Sequence, residues 1–506
     1  VYIGIIMVIS LVIRLYYFPN VPLTLDSFDY FFYASDITIN QKLPENYTPA
    51  NNGWPIFLSW FFSIANFNDV ISYMQLQRII SIVISVLTII PIFFLCKKYF
   101  GDNLSLLGST IFAFEPRLIQ NSLLGITEPL FILLLTLTIL LFLKERIIFI
   151  YSAFALLSLV VLVRGEAIVL FLPLSIGFIW KFRKNRSKLI KYIVCVTIFV
   201  LILFPMLAIR IDTTGEDGIF SRLIYSSNTI SQNAINQGIE SGDSKQFILL
   251  GIENFVKFLG WGMIPVFLVF VPYGLLLILK QRDFEKRFII FVSIILTLPM
   301  IYAFSVASDT RFLFSFYPLF CIASVIAMKS FSQKIGMEKK LIIFVIFAIL
   351  LASIIYLDYK KNDIDHEKEA LELAKIVALK TEKINLYSPE SQYLAITEFD
   401  KIETFPIIRS DFSIPYHQSS YGLPINVNFN STNEAMKYFK ENDFTHLIID
   451  KNEKNIISNI FHDDEAFPFL EKEYDSSEHG YDYSLKIFKI NYEKFDKSFI
   501  INEKVK

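Results

Sequence analysis

The residues best suited to chemistry stand just past the first apolar run, in Thr24-Leu-Asp26-Ser-Phe-Asp29-Tyr30-Phe-Phe-Tyr33-Ala-Ser-Asp36. Thr24 or Asp26 can cap a short helix there. On that helix Asp26, Asp29, Tyr30 and Tyr33 fall on one face, at i, i+3, i+4 and i+7. Phe28, Phe31 and Phe32 turn toward another face and are expected to rest on lipid. Two carboxylates held at a membrane surface can serve as base and orienter for a hydroxyl nucleophile. Plain helix capping and favourable dipole charge would account for the same acids without any chemistry.

Further charges stand at the ends of other apolar runs. Arg78 opens the second, and Arg117 and Glu128 flank a short loop in Phe114-Glu-Pro-Arg117 and Thr127-Glu128-Pro-Leu130. Arg164-Gly-Glu166 forms a turn between two runs, and Asp309-Thr-Arg311 opens another. Any one of these is readily an anchor, because charges at span ends can snorkel to water. Together they make one end of several helices both acidic and cationic. Arginine suits a phosphate there, since its fork donates two parallel hydrogen bonds.

The elements that must position these residues are membrane helices. Of 506 residues 54% are hydrophobic and 19% charged, with 51 Phe and 25 Tyr. That composition excludes a disordered chain, a basic nucleic-acid binder and an ordinary cytosolic enzyme. Eleven apolar runs read as candidate spans: 1–18, 76–96, 104–121, 127–143, 147–163, 167–181, 190–209, 260–280, 288–306, 312–328 and 341–357. No cleavable signal is visible, so the first run is expected to act as an anchor. Alternate loops are basic, from Lys97-Lys98 to Lys329–Lys340, and the positive-inside rule assigns them to the cytoplasm. The loops 19–75, 118–127, 164–167, 210–259 and 307–311 are then external, and with eleven spans so is the tail.

The tail differs in charge. Residues 358–506 carry 28 acidic and 19 basic side chains, a net of −9, whereas residues 1–357 carry a net of +8. The expected architecture is therefore a mainly α, polytopic helix bundle over 1–357, with its long external loop 19–75, followed by a small soluble α/β domain over 358–506. Within the tail, Asp365–Thr381 and Glu434–Lys440 are expected as helices, and His446–Asp450 and Tyr483–Ile490 as strands. All five histidines lie after residue 365, which excludes a histidine-based metal or triad site in the bundle. Cys96, Cys195 and Cys321 lie in or beside apolar runs and show neither metal spacing nor a disulfide framework. Two sequons, at Asn46 and Asn430, are weak signals. Small polar residues Ser81, Ser85 and Thr88 line one face of the second run and favour close helix packing.

At these residues the chain resembles the GT-C glycosyltransferases, polytopic enzymes that take a sugar from a polyprenyl-phosphate carrier. The branch with protein O-mannosyltransferases and aminoarabinose transferases is the most similar. The likeness rests on Asp26-Ser-Phe-Asp29-Tyr30 directly after the first run, on Arg78-Ile-Ile-Ser81 through Lys97-Lys-Tyr-Phe-Gly101, on Phe114-Glu-Pro116 with Thr127-Glu128-Pro-Leu-Phe131, and on Leu162-Val-Arg164-Gly-Glu166 followed by Pro173. It covers roughly residues 1–320. Many relatives carry adjacent acids in the first loop, whereas this chain has Asp-x-x-Asp, which leaves open which carboxylate is the base.

The resemblance implies an inverting transfer to a hydroxyl on protein, lipid or glycan. It implies Asp26 or Asp29 as base, with Asp26 favoured because it comes first. Arg117, Arg164 and Arg311 would neutralise the leaving phosphate, and Glu128 would support an arginine or the sugar hydroxyls. Tyr30, Arg78, Glu166 and Asp309 complete the candidate substrate contacts. Lipid-linked phosphate is a good leaving group, so no cofactor is required; no ligand cluster compels a metal, and a divalent ion stays open. The implied partners are the lipid-linked donor, the acceptor and membrane lipids, with no nucleic acid, in the cytoplasmic membrane of a prokaryote. A transporter or flippase is the alternative. It would show inverted halves, broken spans and ionisable groups at mid-bilayer, whereas these charges stand at span ends.

Overall fold

The computed structural model describes residues 1–23, 26–44, 52–67, 70–184, 187–221, 244–264, 266–280, 283–335, 338–380, 386–387, 431–441, 444–450, 458–481 and 484–503. Thr24 and the sequon asparagines Asn46 and Asn430 lie outside the described residues.

Every apolar run contains helix, but the count of eleven full spans is corrected. Among the described residues five helices are long and apolar enough to cross a membrane: Val70–Lys97, Lys188–Thr214, Glu285–Val306, Thr310–Gln333 and Lys340–Lys361. A sixth candidate is the pair Lys245–Gly262 and Phe267–Lys280, bent by 111° at its break. The helices Tyr2–Tyr16, Glu128–Phe142 and Ile147–Val163 have 15, 15 and 17 residues, short of the roughly 20 that a straight crossing of the hydrocarbon needs. Summed hydropathy runs through helix breaks that the backbone does not ignore. The run 104–121 shows why. It splits into Asp102–Ala113 and Pro116–Leu123, because proline lacks an N–H and disfavours helical backbone in the residue before it. The chain is nonetheless a multi-pass integral membrane protein.

Burial orders these helices. The span Thr310–Gln333 is 89% buried and runs through the middle of the bundle, whereas Lys188–Thr214 is 17% buried and lies at its periphery. Gly274 shows how closely the central helices approach, since a Cβ there would stand 2.0 Å from the Ala323 carbonyl oxygen. Ser81, Ser85 and Thr88 are all buried, as their shared face predicts.

Two apolar helices occupy segments expected to be loop. Gly53–Ile64 lies within 19–75, and Ser244–Gly262 lies in 210–259 for all but its last turn. The helix expected at Asp26 runs from Asp26 to Asn40. Its faces are not those expected. Phe31 and Phe32 are buried in the protein core, and Phe28 packs against that core instead of resting on lipid. Tyr30 and Tyr33 are buried too, so Asp26 and Asp29, which are exposed, do not share their surroundings.

The last span and the first helix of the tail are one continuous helix, Glu338–Lys380. Beyond it, among the described residues, the tail forms a four-stranded sheet in the order β1-β2-β4-β3. Its strands are β1 (Leu386–Tyr387), β2 (His446–Asp450), β3 (Leu470–Asp475) and β4 (Leu485–Ile490). Only the two-residue β1 pairs in parallel; β2, β4 and β3 are antiparallel. Helices Thr432–Glu441 and Tyr492–Glu503 accompany the sheet. Met436, Phe439, Leu447, Phe488 and Phe495 form its core, so the tail holds together by a separate apolar cluster from that of the bundle.

Candidate functional site

Four chain segments bring charge together. Asp26 begins the helix after the first run, and Glu128 begins Glu128–Phe142. Arg164 and Glu166 stand in the turn between Ile147–Val163 and the 3-10 helix Gly165–Leu170. Asp309 caps the 3-10 helix Thr310–Phe316, accepting from the Arg311 backbone N–H at 2.8 Å.

Arg311 ties two of these segments together. Its Nη1 donates to Asp26 Oδ2 at 3.0 Å and its Nε to Asp309 Oδ2 at 2.6 Å. Arg164 ties the other two. Its Nη1 donates to Glu128 Oε1 at 2.6 Å and its Nε to Glu166 Oε1 at 2.5 Å. The Arg164 guanidinium also lies over the Phe131 ring, 5.7 Å from its centroid. Burial works against its charge, but the carboxylates of Glu166 and Glu128 outweigh that and hold its pKa above the ordinary value. The Glu128 carboxylate acts on Arg311 as well, and Tyr30 lies close enough to act on Arg164. Four carboxylates and two guanidiniums thus form a network of two ion-paired triads, Asp26–Arg311–Asp309 and Glu128–Arg164–Glu166, linked through the charge of Glu128.

Exposure is graded along it. The Glu128 side chain is 5% exposed and Arg164 13%, whereas Arg311 is 26% and Asp26 54%. Glu166 and Asp309 are each 29% exposed, so the network is most open at Asp26, with Asp29 exposed one turn further along the helix. The network can present a carboxylate to a hydroxyl and a bidentate cation to an anion.

The other two arginines stand elsewhere. Arg78 is buried, two turns inside Val70–Leu87, and donates to the Pro19 and Pro22 carbonyls at 3.0 and 2.8 Å. It fastens the strand of chain leading to Asp26. Arg117 is ion-paired to buried Glu115 and donates to the Ile264 and Trp261 carbonyls at 2.7 and 2.8 Å. Those carbonyls lie at the break after Ser244–Gly262, so Arg117 caps that helix at the end where its dipole is negative. Sequence alone gave no means of separating these two from Arg164 and Arg311, because a carbonyl partner leaves no residue signature.

A second buried polar group went unforeseen. Arg14 is fully buried. It donates through Nε to Ser122 Oγ at 3.1 Å, through Nη2 to Ser85 Oγ at 3.1 Å, and through Nη1 to the Ala113 carbonyl at 3.1 Å and to Ser10. A single arginine in a first span, with a serine one turn before it and serines in two other helices, is the signal that could have found it. Arg210 is buried at the end of Lys188–Thr214 and donates to Asn52 Oδ1 at 2.9 Å. Among the described residues no three His, Cys, Asp or Glu side chains stand together as a metal-binding group.

Residues 54–209 match the family model described as dolichyl-phosphate-mannose-protein mannosyltransferase. No curated protein matches the chain. Among solved structures the chain is similar to ArnT from Cupriavidus metallidurans bound to undecaprenyl phosphate, with a TM-score of 0.57 at 10% identity, over 96% of this chain and 98% of that one. It is similar to the archaeal oligosaccharyltransferase AglB from Archaeoglobus fulgidus, solved with an inhibitory peptide and a dolichol-phosphate, with a TM-score of 0.51 at 14% identity over 89% and 69% of the two chains. An Archaeoglobus fulgidus oligosaccharyltransferase solved with Zn and sulfate gives 0.50 at 13% identity, over 84% of this chain; this chain spans only 59% of that protein's length. At such identities the likeness is one of fold.

Proposed function

We propose that this chain is a membrane glycosyltransferase of GT-C type that transfers a sugar from a polyprenyl-phosphate carrier to a hydroxyl acceptor, with inversion at the anomeric carbon; the match of residues 54–209 to the mannosyltransferase family model supports this reading. The observation that carries this reading is the Arg311 bridge between Asp26 and Asp309, with Glu128 and Arg164 beside it.

The carrier stays in the bilayer and brings its phosphate to the open end of the network. The acceptor hydroxyl arrives from water. Asp26 takes the hydroxyl proton as the acceptor oxygen bonds to the anomeric carbon. The bond from that carbon to the phosphate oxygen breaks, and the polyprenyl phosphate leaves with the electron pair. Arg311 takes up the charge of the departing phosphate, and Arg164 supports it from the buried side. Arg311 is shared with Asp26 before reaction, so as its fork turns to the phosphate it frees the Asp26 carboxylate to accept a proton. Asp29 orients the acceptor. No metal is required, since the leaving group is already a phosphate. Positive-inside reasoning supports a site and tail external to the cytoplasmic membrane of a prokaryote, with residues 1–357 catalytic and 358–506 in a supporting or acceptor-recognition role.

The test compares wild-type, Asp26→Asn and Asp29→Asn membranes with radiolabelled polyprenyl-phosphate sugars. Loss of general-base assistance should lower turnover about 10²–10⁴-fold in Asp26→Asn, at unchanged abundance, and by less in Asp29→Asn. Full activity in both variants sinks the assignment of the base.

A further inference from the structure

Gln77 is fully buried in the helix Val70–Leu87. Its side-chain amide nitrogen donates twice, to the Ser27 carbonyl at 2.9 Å and to the Gly125 carbonyl at 2.7 Å. Ser27 follows Asp26, and Gly125 stands three residues before Glu128. One amide therefore spans the segment of Asp26, which pairs with Arg311, and that of Glu128, which pairs with Arg164. We propose that Gln77 is a positioning residue for the transfer reaction, setting the separation of Asp26 from Glu128; the proposal rests on the function proposed above.

Three observations support it. Two carbonyl oxygens at hydrogen-bond distance fix which end of the amide is the nitrogen, and among the described residues nothing donates to the Gln77 Oε1. A buried acceptor left unsatisfied is costly, so an apolar residue of equal volume would pack better. The position is explained by its two donors. Second, the Gly125 turn is moulded to this helix. Its φ is +77°, and a Cβ there would meet Gln77 Cγ at 3.2 Å, Leu23 Cδ2 at 3.3 Å and Arg78 Cγ at 3.4 Å. The Trp54 indole N–H donates to the same Gly125 carbonyl at 3.2 Å. Third, the next residue, Arg78, grips the Pro19 and Pro22 carbonyls, so two consecutive side chains hold the approach to Asp26 from both sides.

The experiment uses full-length protein in membranes, with Gln77→Met, which keeps the volume and loses both bonds, and Gln77→Glu, which keeps the shape and sets a carboxylate against two carbonyls. Both should lower kcat by about 10–100-fold, the loss expected of a misplacement near 1 Å, with donor KM changed less than threefold by the same reasoning. The Gln77→Glu variant should recover relative to wild type as pH falls, because a protonated carboxyl can donate one of the lost bonds. A second readout needs no turnover: bis-maleimide cross-linking of Asp26→Cys to Arg311→Cys, the three native cysteines being buried. Its yield should fall when Gln77→Met is added. Unchanged cross-linking overturns the proposal, as does unchanged kcat in an active enzyme. A wild type without transferase activity, but with cross-linking lost on Gln77→Met, sinks the proposed function and leaves the positioning intact.

Discussion

Two of the polar clusters inside this helix bundle use arginine in opposite ways. Around Arg14, Glu115 and Arg117 the guanidiniums donate largely to backbone carbonyls and serine hydroxyls, deep in the protein. Around Arg164 and Arg311 they donate to carboxylates, and the network opens to the surface at Asp26. Carbonyl-bound arginine closes the gaps that broken helices leave. The Ala113 carbonyl, freed where Asp102–Ala113 ends before Pro116, is taken by Arg14. The carbonyls at the 111° bend are taken by Arg117. A carboxylate-bound arginine is instead exchangeable, because an arriving phosphate offers it the same two acceptors. One cluster holds the fold; the other can act.

Exchanging the same residue in the two clusters should break this contrast most sharply. Arg311→Gln removes the cation that the proposed transfer sets against the leaving phosphate. Turnover should fall about 10²–10³-fold, the loss typical of one electrostatic donor to a developing charge, while abundance and thermal midpoint stay near wild type. Arg117→Gln should do the reverse: lower abundance and midpoint, with turnover per folded molecule changed far less. Equal turnover losses in the two variants, at equal abundance, would erase the distinction.

Arg14→Met sharpens the holding side. It leaves the Ala113 carbonyl with the Ser10 hydroxyl alone, at 3.3 Å, and takes the guanidinium from the Ser85 and Ser122 hydroxyls, a penalty of about 1–3 kcal/mol for a buried unsatisfied group. Thermal unfolding in detergent should come at lower temperature, with the transfer rate per folded molecule preserved. A midpoint equal to that of wild type would mean that relief from burying a charge offsets the lost bonds.

How much of this was legible depended on the scale of the signal. Apolar runs announced the helices, and alternation announced Leu485–Ile490. Asp26, Glu128, Arg164 and Arg311 stood out because charge beside an apolar run is rare, and the structure pairs Asp26 with Arg311 and Glu128 with Arg164. The helix Ser244–Gly262 escaped because Lys245, Glu253, Asn254 and Lys257 interrupt its apolar pattern. The burial of Phe31 and Phe32 escaped because helical periodicity gives faces, not neighbours; Phe31 meets Phe62 of the unforeseen helix Gly53–Ile64 at 5.6 Å between centroids. Gln77 carried no signal at all, since its partners are backbone carbonyls about fifty residues away in both directions.

The tail offers the smallest test and shows what burial contributes to the contrast. There Asp464 receives Lys486 Nζ at 3.2 Å, with Lys472 at 3.7 Å, among side chains 14–37% exposed. Partial burial disfavours the Asp464 carboxylate, but the bond and charge of Lys486, with Lys472, hold its pKa below the ordinary 3.8. A carboxylate lowered on folding stabilises the fold above its unfolded value, and that contribution disappears as pH falls through the folded value. Asp464→Asn should therefore raise amide exchange in peptides of β3 and β4 of the full chain at neutral pH. The ratio of variant to wild-type exchange should approach one well below pH 3.8, where the wild-type side chain is itself neutral. Solvent screens such pairs to the low end of ion-pair strengths, so the change should be slight beside that of Arg14→Met. An effect of Asp464→Asn that persists undiminished in acid would show that the side chain acts there through hydrogen-bond geometry and not through its charge.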